Sequence, residues 1–244
     1  MSLNTAHCNY GVLIYTGERI LIYCDGVQVT LEGGNLPKGS KKGRIYLTTH
    51  RVIFLNNSQK DHLLSFSMPF FTLRQVELEQ PVFSANYIKG TVFAEQGGKW
   101  SGNAAFKLCF NKGGAVEFGQ AMLQAGKLAS RYQIPQPPPY TPPQGPFYQP
   151  APPAYTAYNY GWVPYQTFPN APPAHEVFMA EAPPPYPGVD SNLNPYPTGS
   201  AQDAKAREAA ASSAYYNPAN PHNVYMPSPS EPPPPYSEIG KKTN

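Results

Sequence analysis

The chain has 244 residues, 31 of them proline, and a formal net charge of +3. This length fits one domain with an appendage, or two small domains. All but three prolines lie from residue 135 onward, and so much proline without a collagen period is typical of disorder and excludes an ordinary packed core there. We therefore predict a folded domain over residues 1–134 and a disordered tail over residues 135–244.

The cysteines and the lengths of the apolar runs indicate where in the cell the protein is expected. Cys8, Cys24 and Cys109 are far apart and form neither a zinc spacing nor a disulfide framework, which favours a reducing environment. The N-terminus has no basic region followed by a long apolar stretch, and no apolar run approaches about 18 residues. We expect neither a signal peptide nor a membrane span, and a location in the cytoplasm and the nucleus.

In chain order, the first half shows strand patterns. ERILIYCDGVQVTLE holds two β-rich runs around Asp25-Gly26, a strong hairpin dipeptide. GRIYLTTHRVIFLNN gives two runs around Thr-Thr-His-Arg, and two more follow with a break at Met68-Pro69. A last pair surrounds Gly97-Gly98. About seven short strands with hairpin-length connections predict an antiparallel sandwich or barrel.

One helix follows the strands, in AVEFGQAMLQAGKLASRY. Phe118, Met122, Ala125 and Ala129 fall on one face of such a helix, and Pro135 stops it. A β-barrel closed by one C-terminal helix is the pleckstrin-homology-like architecture.

Several segments carry a family resemblance. KKGRIYLTTHRVIFLNN resembles the core hairpin of the GRAM domain, a pleckstrin-homology-like module. MPFFTLRQVELEQPVFSANYIKGTV, KLCFNKGGAVEFGQAML and, near the far end, SAYYNPANPHNVYMP resemble the WW domain-binding protein 2 family and its postacrosomal sheath relative. The resemblance implies a mainly β, pleckstrin-homology-like GRAM barrel with one C-terminal helix, followed by a long disordered Pro/Tyr-rich tail.

The tail repeats the motif Pro-Pro-x-Tyr four times. The proposed WW-binding residues are Pro137, Pro138 and Tyr140; Pro152, Pro153 and Tyr155; Pro183, Pro184 and Tyr186; and Pro233, Pro234 and Tyr236. Random placement in so proline-rich a tail predicts roughly 0.8 matches. A proline run pre-forms a polyproline II helix, which puts the first proline and the tyrosine on one side. WW domains read such segments, with an aromatic groove for the proline and a neighbouring pocket for the tyrosine.

A basic cluster stands just before a predicted strand. Lys38, Lys41, Lys42 and Arg44 could hold a lipid phosphate by charge and hydrogen bonds. GRAM-type domains are often associated with phosphoinositide membranes, so the resemblance supports this interpretation. The alternative is that these side chains are simply solvated beside a turn.

The sequence contains no motif for catalysis, cofactor binding or metal binding. Nucleotide loops, HExxH, nucleophile elbows, zinc fingers and RNA-recognition signatures are all missing. We therefore expect a protein that is not an enzyme and binds no cofactor, no metal and no specific nucleic acid sequence. The alanine-rich stretch 200–214 is either a helix formed on binding or a compositional island.

These observations predict a non-enzymatic adaptor. By resemblance, its partners would be WW-bearing coactivators such as the Yes-associated protein and Nedd4-type ubiquitin ligases, with transcriptional coactivation in steroid receptor pathways. Because LxxLL is absent, contact with nuclear receptors and chromatin would be indirect. One alternative is a phosphoinositide-binding membrane adaptor that recruits Nedd4-type ligases. Another is a sperm-head protein acting at fertilisation, although its Tyr-Gly-x-Pro-Pro repeats are missing here.

Overall fold

The computed structural model describes residues 1–33, 36–37, 39–131, 142–143, 145–152, 154–156, 160–168, 171–189, 215–216 and 224–225. The chain divides into two compact units, Met1–Asn194 and Pro195–Asn244. In the second unit, the described residues form an antiparallel pair between strands Tyr215–Tyr216 and Val224–Tyr225.

The first unit is mainly β, as predicted. Its strands are β1 (Ser2–Leu3), β2 (His7–Cys8), β3 (Gly11–Tyr15), β4 (Ile20–Glu32), β5 (Ser40–Thr48), β6 (Arg51–Asn56), β7 (Ser65–Pro69), β8 (Leu73–Glu79), β9 (Tyr87–Phe93), β10 (Asn103–Phe110), β11 (Phe147–Tyr148) and β12 (Val177–Ala180). The helix α1 spans Ala115–Arg131, and 3-10 turns span Phe70–Thr72 and Ala174–Glu176.

Eight strands form an antiparallel sheet in the order β1-β7-β6-β5-β4-β10-β9-β8. Its inward side chains and those of α1 share a single hydrophobic core, to which Val29, Phe54, Phe106 and Phe118 belong. The sheet thus curls around the core as a partly open barrel with α1 packed on it. This arrangement confirms the predicted fold class.

Most of the predicted local structure is confirmed. The predicted turn after Thr48 lies between β5 and β6, and the hairpin around Gly97-Gly98 lies between β9 and β10. The predicted helical face of α1, which includes Phe118 and Met122, is buried. Within the described ranges, no helix has the length and apolar character needed to cross a bilayer.

The predicted hairpin at Asp25-Gly26 is wrong. Strand β4 runs without a turn for 13 residues and pairs with β5 on one edge and β10 on the other. The register against β5 shifts between Asp25 and Val27, and Gly26 has a φ of +74°. The dipeptide therefore makes a bulge in a long strand, because glycine supplies the positive φ that a bulge also uses.

A second sheet lies outside the barrel, in the order β11-β12-β3-β2. Strand β12 pairs in parallel with β3, from Val177 opposite Val12 to Ala180 opposite Tyr15. Val12, Ile14, Val177 and Met179 pack in one cluster with Tyr46 and other side chains of the barrel strands. Two strands of this sheet come from the segment predicted to be tail.

The folded unit therefore extends to Asn194, well past the predicted boundary at residue 134. The reason is local apolar content within a proline-rich average. Val163, Phe168 and Val189 belong to the barrel core, and Phe168 stands 6.3 Å from the Phe118 ring. Apart from the paired strands Tyr215–Tyr216 and Val224–Tyr225, the remaining tail that was predicted to be disordered lies outside the described ranges.

Candidate functional site

Three of the four Pro-Pro-x-Tyr motifs lie within Met1–Asn194, the first compact unit, and the structure describes two of these three. The motif ending at Tyr186 is described in full, and the motif ending at Tyr155 is described except for Pro153. The motifs ending at Tyr140 and Tyr236 lie outside the described residues. The structure therefore shows the surroundings of the second and third motifs only.

The Tyr186 ring is inserted into a surface pocket of the barrel. Its side chain is only 4% exposed. Tyr15 meets it edge to face with 6.1 Å between ring centroids, and Phe71 and His50 stand at 5.9 and 6.4 Å. We call the set Tyr15, His50, Arg51 and Phe71 the tyrosine pocket. Edge-to-face and tilted contacts at such distances are favourable aromatic geometries.

A buried ion pair forms the floor of the tyrosine pocket. Arg51 donates from Nε and Nη2 to the two Glu18 carboxylate oxygens, both at 2.9 Å, and both side chains are fully buried. The guanidinium also lies over the Tyr15 ring, 4.6 Å from its centroid. Thr48 donates to Glu18 at 2.6 Å. The Arg51 charge is thus neutralised directly beneath the aromatic contacts.

Burial and charge act in opposite directions on the titration of these groups. Burial alone would raise the pKa of Glu18, but the charge and hydrogen bonds of Arg51 outweigh it, so this pKa is lowered. Burial raises the pKa of Tyr186 well above its usual value, although Arg51 opposes this. Tyr186 is therefore held as a neutral phenol, and its hydroxyl is buried without a hydrogen-bond partner among the described residues.

The chain just after Tyr186 is held in register with the barrel. The Val189 amide donates to the Thr49 carbonyl at 2.8 Å, and Val189 enters the barrel core. Gly188 passes against His50, where an added Cβ would stand 2.3 Å from Nε2. A side chain at position 188 would have to displace the His50 ring.

Tyr155 of the second motif is buried in a different place. It is 1% exposed and packs in the cluster between the second sheet and the barrel. The Ile20 amide donates to the Tyr155 carbonyl at 2.8 Å, and the Arg19 guanidinium donates to the Ala154 carbonyl. Backbone and ring of this motif both contact the barrel.

Strand β12 fixes the segment between the two motifs. The hydroxyl of Thr16 donates to the Ala180 carbonyl at 2.6 Å, and Arg44 forms an ion pair with Glu176. Gly11 lies so close to the start of β12 that an added Cβ would stand 2.2 Å from the Glu176 carbonyl oxygen. Residues 154–189, which we call the docked segment, are therefore anchored at three places.

The basic cluster does not form a free group of charges. Lys41 pairs with Asp61 at 2.6 Å, and Arg44 pairs with Asp25 as well as Glu176. Lys42 is exposed, and Lys38 lies outside the described residues. Strand alternation puts Lys41 and Lys42 on opposite faces of β5. The charges of Lys41 and Arg44, the two partly buried members of the cluster, are thus already neutralised by carboxylates.

An open groove borders the third motif. It has a volume of about 640 Å³ and runs between β8 and α1, with Phe71 and Pro187 in its lining together with Met122 and Leu123 of the helix. Arg74 and Lys127 add positive charge to a mostly apolar wall. In the described part of the chain, no cluster of His, Cys, Asp and Glu side chains could hold a metal ion.

The sequence did not predict the residues that surround Tyr186. Tyr15, Glu18, His50, Arg51 and Phe71 are separated along the chain and belong to no motif. One signal was available for the docked segment, because VFMA is a short apolar run in a tail otherwise dominated by proline and small residues. Such a run is typical of a strand.

Comparisons with known proteins show which proteins this chain is similar to. Residues 10–127 match the GRAM domain. The chain is 45% identical to WW domain-binding protein 2 of Homo sapiens, over 93% of each protein. It is 43% identical to the postacrosomal sheath WW domain-binding protein of Bos taurus, over 54% of this chain and 44% of that protein. The Vps36 N-terminal PH domain gives a TM-score of 0.38 at 18% identity, over 50% of this chain and 88% of that one.

Proposed function

Because the chain belongs to the WW domain-binding protein 2 family, we propose that it is a non-enzymatic adaptor that binds WW domains through its Pro-Pro-x-Tyr motifs. The observation that carries the proposal is the fourfold repeat of the motif, at Tyr140, Tyr155, Tyr186 and Tyr236. The relatives, which are named as WW domain-binding proteins, support it.

The physical basis is the stiffness of the motif. A proline run already has the polyproline II conformation, so little conformational entropy is lost when it enters an aromatic groove. The tyrosine ring then fills the neighbouring pocket, where its hydroxyl finds a hydrogen-bond partner. The contact between one motif and one WW domain is small and therefore weak, so several motifs on one chain favour partners with WW domains in tandem.

The partners we propose are WW-bearing coactivators of the Yes-associated protein type and Nedd4-type ubiquitin ligases. The corresponding role is transcriptional coactivation, including steroid receptor pathways, with the protein in cytoplasm and nucleus. Family resemblance supports these assignments. The phosphoinositide alternative has less support, because Lys41 and Arg44 are already paired with carboxylates.

The test is binding of tandem WW domains by a chain in which all four motif tyrosines are alanine. We expect binding to be lost. Tyr155 and Tyr186 are buried, so a second variant replaces the first proline of each motif, Pro137, Pro152, Pro183 and Pro233, by alanine. Of these, Pro152 and Pro183 are exposed in the structure, so the proline variant spares the buried rings.

The matched control replaces four tyrosines outside the motifs by alanine, Tyr132, Tyr158, Tyr196 and Tyr216. It should bind tandem WW domains like the unaltered chain. Circular dichroism confirms that each variant is folded. Normal binding by the folded proline variant would show that the motifs are not the binding sites.

A further inference from the structure

The Tyr186 ring that a WW domain must take is the ring that the barrel already holds. Recognition of Pro-Pro-x-Tyr requires the tyrosine ring in the WW pocket. In the structure the ring is 4% exposed and surrounded by Tyr15, Phe71 and His50. One ring cannot occupy both places, so the two contacts exclude each other.

We propose that the tyrosine pocket is a binding site for the chain's own Pro-Pro-x-Tyr motif, so that the barrel competes with WW domains for Tyr186. The inference rests on the proposed function for its WW half. Its other half, the binding of residues 183–189 by the barrel, rests on the contacts of the docked segment alone.

The pocket suits an aromatic ring whose following backbone runs past His50. Aromatic side chains receive the ring, and the neutralised Arg51 beneath them adds no free charge to the floor. The Val189 amide bonds to Thr49, and Gly188 passes where a side chain would meet His50. The docked sequence is Tyr186-Pro187-Gly188, in which the small glycine lets the backbone pass the His50 ring.

Strand β12 holds the motif near its pocket. Its four residues pair with β3, and Ala180 lies only six positions before Tyr186. Gly11 permits this pairing, because any larger residue would meet the Glu176 carbonyl. Release of β12 should therefore release the motif as well.

The docked state leaves one polar group unsatisfied, which favours release of the motif. The Tyr186 hydroxyl is buried without a hydrogen-bond partner in the described part of the chain, and such burial is unfavourable. A WW pocket that accepts or donates a bond to this hydroxyl removes the penalty. If the motif is docked on the barrel nine-tenths of the time, the apparent affinity of the chain for a WW domain is about tenfold lower than that of the free motif.

The experiment isolates the competition in a chain carrying Tyr140→Ala, Pro152→Ala and Tyr236→Ala, which leaves the third motif as the one intact motif. Pro152 is exposed, so its replacement spares the buried Tyr155 ring. A single WW domain of a Nedd4-type ligase is titrated by calorimetry into this chain and into a peptide of residues 178–191. We expect the peptide to bind at least about tenfold more tightly than the folded chain.

Two further variants release the motif without changing its Pro-Pro-x-Tyr sequence. Gly11→Val blocks β12, and Gly188→Val blocks the passage along His50 and is also tested in the peptide. Each should restore the affinity of the chain to that of the matching peptide. Gly126→Ala is the control, because an added Cβ there meets nothing within 4 Å, and it should leave the affinity unchanged.

Hydrogen exchange reports docking without any WW domain. The Val189 amide should be protected in the unaltered chain and lose protection in Gly11→Val and Gly188→Val. Equal affinity of chain and peptide, or an unprotected Val189 amide, overturns the inference. A peptide that does not bind, with Val189 protected, overturns the competition and the proposed function at this motif but leaves the pocket in place.

Discussion

At the scale of single residues, the pair Glu18 and Arg51 determines whether the tyrosine pocket exists. Both side chains are fully buried, and Arg51 also donates to the Leu13 carbonyl at 3.0 Å. A buried pair contributes little compared with a well-packed apolar replacement, but removal of one partner is costly. The pair thus ties β3 and β6 together beneath Tyr186.

Arg51→Ala should therefore strongly destabilise the fold. It leaves the Glu18 carboxylate buried without its counter-charge, and such changes cost about 3–5 kcal/mol in the free energy of unfolding. Urea unfolding measures the change. Lys89→Ala is the control, because Lys89 pairs with Glu77 and Glu79 at a side-chain exposure of 44%, and its effect should be far smaller. Equal losses in the two variants would contradict the role of the buried pair.

The same pair should make stability depend on acid. The pKa of Glu18 is lower in the folded chain than its ordinary value of 4.5. Its contribution is therefore complete above about pH 4.5 and is lost as the pH falls through the folded pKa. Unfolding of the chain and of Glu18→Gln at about pH 7 and about pH 3 should show a stability difference that shrinks in acid. A difference that stays constant would mean that Glu18 is not the group involved.

At the scale of elements, sequence patterns predicted what local chemistry determines. The turn after Thr48, the hairpin around Gly97-Gly98 and the buried face of α1 follow from turn residues and periodicity. The sequence at Asp25-Gly26 did not reveal that β4 continues as one strand, because a bulge and a hairpin turn both use glycine at positive φ. The position of β12 depends on the contact between Gly11 and Glu176, 165 positions apart, which no local pattern reveals.

Strand β12 also changes the expectation for a fragment of residues 1–134. Without the docked segment, Val12, Ile14 and Tyr46 lose the partners Val177 and Met179, and β3 becomes an exposed edge. Exposed apolar edges favour association between chains. The fragment should unfold at lower urea than a fragment of residues 1–194 and should self-associate in sedimentation experiments.

The fragment of residues 1–194 serves as the control for that comparison. It ends at the boundary of the first compact unit, so its unfolding midpoint should equal that of the whole chain. If the fragment of residues 1–134 were equally stable and monomeric, the packing of the docked segment would contribute nothing to the fold.

At the scale of the whole molecule, two of the four motifs have tyrosines that are buried in the fold. Tyr155 and Tyr186 are 1% and 4% exposed, and the 30 positions between them include β12 and Phe168, which is 7% exposed. A free segment of that length spans roughly 30 Å, a distance suited to two WW domains in tandem. In the docked state, however, the segment is part of a fold and is not a flexible linker.

The gain from tandem binding should therefore depend on whether the segment is docked. In a peptide of residues 150–191, both motifs are free, and a tandem WW partner should bind about 10²–10⁴ times more tightly than a single WW domain. The whole chain with Tyr140→Ala and Tyr236→Ala should show a smaller gain, because two rings must leave the barrel before both domains engage. Addition of Gly11→Val should bring the gain of this chain closer to that of the peptide.

Calorimetry with single and tandem WW domains measures each gain as the ratio of the two affinities. Equal ratios for peptide and chain would mean that docking does not restrain the motifs, and a peptide with no tandem gain would mean that the two motifs do not act as a pair.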